Sequence, residues 1–205
     1  MVSKKVILFI GLLWFALGVQ AQTPIVDIAS DYNSDQIVEN CYLKDVTNSF
    51  APYIGTWQWC SGTDTLTIEM AKYSMVHDTL SLTPHYSDLL IGKYRYVKDG
   101  YEVINTLNYP ITNTNVYTAH PIYTKFGLPP IIGARYRNDD YAGLFFRDYL
   151  KEKSESMKLV LQLTLVGEPS KVQLILENSE HWAFSAAEHR DPEFTIPNYV
   201  ILTKI

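Results

Sequence analysis

Tyr53-Ile54-Gly55-Thr56-Trp57-Gln58-Trp59 is the stretch on which the reading of this chain turns. It follows Asp45-Val46-Thr47-Asn48-Ser49-Phe50-Ala51-Pro52, whose acidic start, small polar residues and closing proline predict a capped half-turn of helix that the proline stops. Trp57 and Trp59 then alternate with Thr56 and Gln58, the period of a strand with one buried face. Taken alone, two tryptophans at that spacing are ordinary half-buried strand aromatics. The rest of the chain decides whether they close something larger.

Toward the C-terminus, Ser61-Gly62-Thr63-Asp64 reads as a turn, and Thr65 to Met70 alternates polar and apolar. The runs 89–97 and 101–107 flank Lys98-Asp99-Gly100, and an Asp-Gly pair between two alternating runs is among the strongest hairpin signals. Further strands are expected over 131–137, 144–150, 158–165, 171–177 and 199–205, and a second short helical piece over 180–189. Residues 108–130 differ in kind. Asn108, Asn113, Asn115, Pro110, Pro121, Pro129 and Pro130 make this a long loop, or a short edge strand between two loops, placed over one end of the domain. About nine short strands with turn chemistry between them, no internal repeat and no linker argue an all-β sandwich or barrel.

A short helical turn, then Gly55-x-Trp57 at the head of the first strand, then many antiparallel strands, resembles the lipocalin-like calycin barrels. The resemblance implies an antiparallel up-and-down β-barrel, lipocalin-like, with one or two short helical turns. It also implies that Trp57 lies across the closed end and that a basic side chain of the last strand covers it. Lys204 is the only basic residue on that strand, so Gly55, Trp57 and Lys204 form the expected structural group. Calycins prefer arginine there, and lysine lacks the planar stacking fork. A barrel of this size leaves room for a small hydrophobic ligand. Tyr94 and Tyr96 share one strand face, and an arginine such as Arg135 or Arg147 would suit an anionic headgroup, which makes these four the candidate ligand-binding residues. The competing reading puts the arginines on the wet outer face and fills the core with side chains.

At Ile132-Gly133-Ala134-Arg135-Tyr136-Arg137-Asn138-Asp139 and Leu144-Phe145-Phe146-Arg147-Asp148, the chain resembles a family of secreted proteins of unknown function from Bacteroidetes-type bacteria. Its Gly-Thr-Trp strand, its Ile91-Gly92-Lys93-Tyr94 strand and its Leu202-Thr203-Lys204 ending carry the same likeness. The resemblance implies location and a small single domain. It implies no activity, cofactor or catalytic residue.

The N-terminus agrees on location. Lys4-Lys5 is followed by an uncharged apolar run to Val19, and Val19-Gln20-Ala21 fits a small-x-small cleavage site, so residues 1–21 read as a signal peptide. The run is too short for a comfortable membrane span. Cleavage near Ala21/Gln22 leaves residues 22–205 as one domain, soluble in the periplasm or outside the cell. It removes two lysines and moves the net charge from −5 to −7. Scattered basic residues in a mildly acidic chain do not suit nucleic acid. In an oxidising compartment the two cysteines, Cys41 and Cys60, are expected to pair, closing a loop of about 20 residues worth roughly 3 kcal/mol; two separately buried thiols are the alternative. The histidines His77, His85, His120, His181 and His189 show no metal-ligand spacing, and no nucleophile elbow is present. The expectation is therefore a non-enzymatic exported protein without metal or cofactor. It either carries a small hydrophobic ligand or serves the cell envelope as a structural or interaction protein with a filled core.

Overall fold

The computed structural model describes residues 23–28, 34–79, 81–110, 122–123, 141–150, 159–166, 170–178 and 194–205. The strands are β1 (Ile25–Asp27), β2 (Tyr42–Lys44), β3 (Gly55–Ser61), β4 (Asp64–Asp78), β5 (His85–Lys98), β6 (Tyr101–Asn105), β7 (Ile122–Tyr123), β8 (Tyr141–Phe146), β9 (Leu159–Leu165), β10 (Lys171–Asn178) and β11 (Val200–Lys204). Short 3-10 turns at Ser34–Gln36 and Ala51–Tyr53 are the helical pieces among the described residues. The leader over 1–21, the strand expected over 131–137, the helical piece over 180–189 and most of the loop over 108–130 lie outside the described residues.

The protein is mostly β, as its alternation predicts. The strands join in the order β1-β2-β5-β4-β3-β11-β10-β9-β8-β7, with β6 beside β5 and a further pairing of β5 with β7. This corrects the purely antiparallel sheet expected from the sequence. The sheet is mixed, because β1 pairs with β2 in parallel and β2 pairs with β5 in parallel, and among the described residues it holds eleven strands, ten of them on that path, where about nine were expected. The short N-terminal strands escaped the sequence reading because three residues are too few to show a period.

β4 and β5 are longer than the alternating runs that announced them, and they pair from Thr65↔Val97 to Asp78↔His85. With β4 along one edge of β5, the other edge is shared by β2 at Tyr86 and Ser87, β7 at Ile91 and Gly92, and β6 from Arg95 onward. The hairpin at Asp99-Gly100 forms as predicted, with both residues at positive φ (52° and 79°), the conformation that tightens a two-residue turn with the twist of its strands. β4 carries one irregularity. The register shifts between Tyr73 and Val76, and Met75 sits at φ 55°, a left-handed conformation typical of a bulge.

One face of the sheet holds the core. Trp57, Leu66, Ile68, Met70, Leu90, Tyr94, Ile122, Leu144, Phe146, Val172, Leu174 and Leu202 are all buried in a single cluster. The residues come from seven strands and follow the period of two that alternation dictates. Gly92 marks the tightest point. A Cβ there would collide with Met70 Sδ and lie 2.9 Å from Ile122 Cβ, so the flanking strands can bring those side chains in only over a glycine.

Candidate functional site

The N-terminal segment from Cys41 to Ile54 ends in the Ala51–Tyr53 turn and carries Tyr53, buried in the core, to the Trp57 end of the sheet. Pro52 belongs to the first positions of that turn, where its missing N–H costs nothing, and does not stop it as the sequence suggested. The fastening is done by Asp45. Its Oδ1 accepts the N–H and the hydroxyl of Ser49, both at 2.7 Å, and its Oδ2 accepts the Phe50 N–H at 3.4 Å. Trp57, fully buried, donates its indole N–H to the Tyr53 carbonyl at 2.8 Å, so plug and strand hold each other.

On the strand side, Lys72 follows Leu66, Ile68 and Met70 on the inward face of β4 and lies opposite Leu90. Its ammonium reaches Asp45 Oδ2 at 3.1 Å and Asp88 Oδ2 at 3.0 Å. Both carboxylates are sealed from solvent, at 0% and 1% side-chain exposure. The bulge in β4 serves Asp88, whose Oδ1 accepts the Met75 N–H at 3.4 Å and the Tyr42 hydroxyl, while its Oδ2 accepts the Asp45 N–H at 3.1 Å. Counting Lys72, each carboxylate takes four donors, about its full lone-pair capacity.

That saturation sets the protonation states. Burial opposes the charge of both carboxyls, yet donation from Tyr42 and Lys72 holds Asp88 below the usual carboxylate range, and donation from Ser49 and Lys72 does the same for Asp45. Burial likewise opposes the Lys72 ammonium, and its bonds to Asp88 and Asp45 outweigh that and raise it. Tyr42 is pushed up, first by burial and then by its bond to the Asp88 carboxylate. The cluster therefore stays ionised, one ammonium between two carboxylates. Stripping out Lys72 would leave two buried anions, a change that costs on the order of 3 to 5 kcal/mol.

The structural residues expected from the sequence come together at the same end. Lys204 pairs in register with Trp57, and its Nζ stands 5.2 Å from the centre of the indole ring. Gly55 has φ 132°, and a Cβ there would lie 2.6 Å from Lys204 Cε, so the glycine supplies both the backbone conformation and the gap through which the lysine crosses.

The candidate ligand residues divide. Tyr94 and Tyr96 do face the core, fully buried and nearly so, and Tyr94 packs on Phe146 with ring centres 5.3 Å apart. Burial, then the nearby Asp148 carboxylate, drives the Tyr94 phenol well above its ordinary value. Arg147 presents its backbone and its guanidinium to different tyrosines. Its carbonyl accepts the Tyr94 hydroxyl at 3.4 Å while its guanidinium lies 5.8 Å from the Tyr149 ring centre. Arg135 lies outside the described residues.

The expected disulfide is overturned. Both thiols are free, Cys41 buried and Cys60 exposed. Cys41 adjoins Tyr42, which pairs with Tyr86, whereas Cys60 pairs with Thr65, which pairs with Val97. Those two points on β5 are about 36 Å apart at roughly 3.3 Å per residue, far beyond the reach of about 7 Å that a disulfide allows between Cα atoms.

His77 stacks on Tyr86 and His85 Nδ1 contacts the Thr83 carbonyl at 2.8 Å; among the described residues no group of three or more ligating side chains converges. On the outward face, Thr56, Glu69, Ala71, Tyr73, Ile91 and Lys93 surround a shallow hollow of about 270 Å³. Sequence reasoning missed the Tyr42, Asp45, Lys72 and Asp88 cluster. One signal for it was present, a lysine in step with the apolar face of β4.

A model of a family of unknown function (DUF6705) matches residues 1–205. No curated protein matches the chain, and no solved structure does.

Proposed function

The chain belongs to that family, and from its geometry we propose that it is an exported, non-enzymatic envelope protein with a filled core that works through its outer surface. The observation that carries this reading is the occupancy of the inward positions. Trp57, Tyr94 and Phe146, the largest side chains there, are each at most 1% exposed, with Leu66, Ile68, Leu90, Ile122 and Leu144 packed between them. A carrier of hydrophobic small molecules needs that space empty. The hollow on the outward face of β3, β4 and β5 offers a surface feature instead.

The same reading includes a barrel. It is supported by β7, which pairs with β8 at Ile122↔Phe146 and with β5 at Gly92↔Ile122, so that a ring running β5-β4-β3-β11-β10-β9-β8-β7 returns to its start. Export is supported by the basic, apolar and small-residue order of residues 1–21. Among the described residues no helix is long and apolar enough to cross a membrane.

Native mass spectrometry of the protein from its own host tests both parts. The expected species is the bare chain beginning at Gln22. A co-purifying lipid-sized adduct, released on denaturation and present in every preparation, would overturn the filled-core reading, and an intact leader would overturn export.

A further inference from the structure

The buried cluster at the plug brings one amine against two carboxyls in a setting suited to amide formation. The geometry points to Lys72 and Asp45 as the two ends of an intramolecular isopeptide bond that fastens the N-terminal segment to β4 covalently, with Asp88 as the proton carrier. This inference does not depend on the proposed function.

Four features of the site carry it. The Lys72 nitrogen lies 3.1 Å from Asp45 Oδ2, one bond from the Cγ it would attack, so the fold holds amine and carboxyl side by side. Asp45 Oδ1 is gripped at 2.7 Å by the Ser49 N–H and at 2.7 Å by the Ser49 hydroxyl, two donors aimed where negative charge develops on a tetrahedral carbon. Asp88 Oδ2 lies 3.0 Å from the same nitrogen, placed as a general base. The fourth feature is the balance of buried charge. The cluster carries one net negative charge before reaction and one after it, on Asp88, which keeps its donors from Tyr42, the Asp45 N–H and the Met75 N–H when the ammonium is gone. Two buried charges are thus replaced by a neutral amide without stranding a third.

The step balances without an oxidant or cofactor. Lys72 passes one proton to Asp45 Oδ2 across their ion pair, which yields the amine and the carboxylic acid. The nitrogen lone pair attacks Asp45 Cγ, and Asp88 takes a second proton from nitrogen and delivers it to Oδ2. The C–Oδ2 bond breaks, water leaves, and the new Nζ–Cγ amide retains one hydrogen, with Oδ1 as its carbonyl.

The ion-paired resting state makes the reactive neutral pair a minor form, so the bond is expected to form slowly after folding. Asp45 is preferred to Asp88 as acceptor because the two short Ser49 donors fall on a single Asp45 oxygen.

Trypsin reads the result. Residues 45–72 contain no internal lysine or arginine, and the next basic residue after Lys72 is Lys93. An unlinked chain gives separate peptides 45–72 and 73–93. The linked chain gives one peptide, 45–93, lighter than its sequence by one water and lacking backbone fragments between 45 and 72. That looped peptide is the expected finding in aged, full-length protein from its own host, and it is not mimicked by cyclisation of Gln22. Lys72→Arg keeps the positive charge and should abolish the loss of water. Asp88→Asn should slow it at least tenfold while leaving the circular-dichroism spectrum unchanged. Complete cleavage after Lys72 in folded, aged wild-type protein overturns the inference. A loop closed between 72 and 88 overturns the choice of acceptor, and linkage at the wild-type rate in Asp88→Asn overturns the role given to Asp88.

Discussion

Replacing Gly55 with alanine isolates what the Gly-x-Trp opening of β3 depends on. At φ 132° an L-residue is strained, and a position of that kind costs about 1 to 3 kcal/mol. The new methyl would also lie 2.6 Å from Lys204 Cε and 3.3 Å from its Nζ. That neighbour is the far end of a flexible, exposed side chain, so it yields by swinging away and gives up its place 5.2 Å from the Trp57 ring centre. A cation over an indole at an exposed site contributes about 0.5 to 1 kcal/mol. Gly55→Ala should therefore destabilise by about 1.5 to 4 kcal/mol, and Lys204→Ala by about 0.5 to 1. The double variant should fall short of their sum by about 0.5 to 1 kcal/mol, because the cation–indole contact can be lost only once. Urea unfolding at 25 °C on all four proteins gives the cycle. Strict additivity, with Gly55→Ala still costly, would show that the lysine is not displaced. A neutral Gly55→Ala would refute the strain itself.

Gly92→Ala should cost about 1 to 3 kcal/mol by overpacking between Met70 and Ile122, read from the urea midpoint, and a change within 0.5 kcal/mol would mean that those side chains move aside freely. Asp88 has its carboxyl pKa lowered by folding, so its stabilisation is present above the ordinary value near 3.8 and is lost as pH falls through the lower folded value. Unfolding free energies at pH 7, 4 and 3 should accordingly fall less steeply for Asp88→Asn than for wild type, and identical slopes would sink the assignment. Cys60 should react with a thiol reagent in the folded protein and Cys41 only after denaturation, two thiols in all without reductant; a chain 2 Da light with none to label would restore the disulfide.

The features legible along the chain were local ones. Alternation over 65–70 and the Asp99-Gly100 turn fixed strand character and a hairpin because a period of two and a pair of positive-φ residues are properties of neighbours in the chain. The Trp57 and Lys204 contact was also legible, though only through the calycin resemblance, which supplied the adjacency of the Gly-x-Trp strand and the last strand that no local pattern contains. The remaining features arise only once distant segments meet. The parallel pairing of β2 with β5 is invisible in three residues, and it carries Cys41 to the opposite end of β5 from Cys60. Asp45 reads only as the acidic start of a capped turn, and nothing in the residues around Lys72 or Asp88 joins either of them to it. They form one buried cluster because the bulge at Ser74 and Met75 turns a backbone N–H toward Asp88, and because the inward period of β4 delivers Lys72 beneath the N-terminal segment. Desolvation then makes each charge depend on the others, and that dependence belongs to positions in space that the order of residues along the chain does not specify.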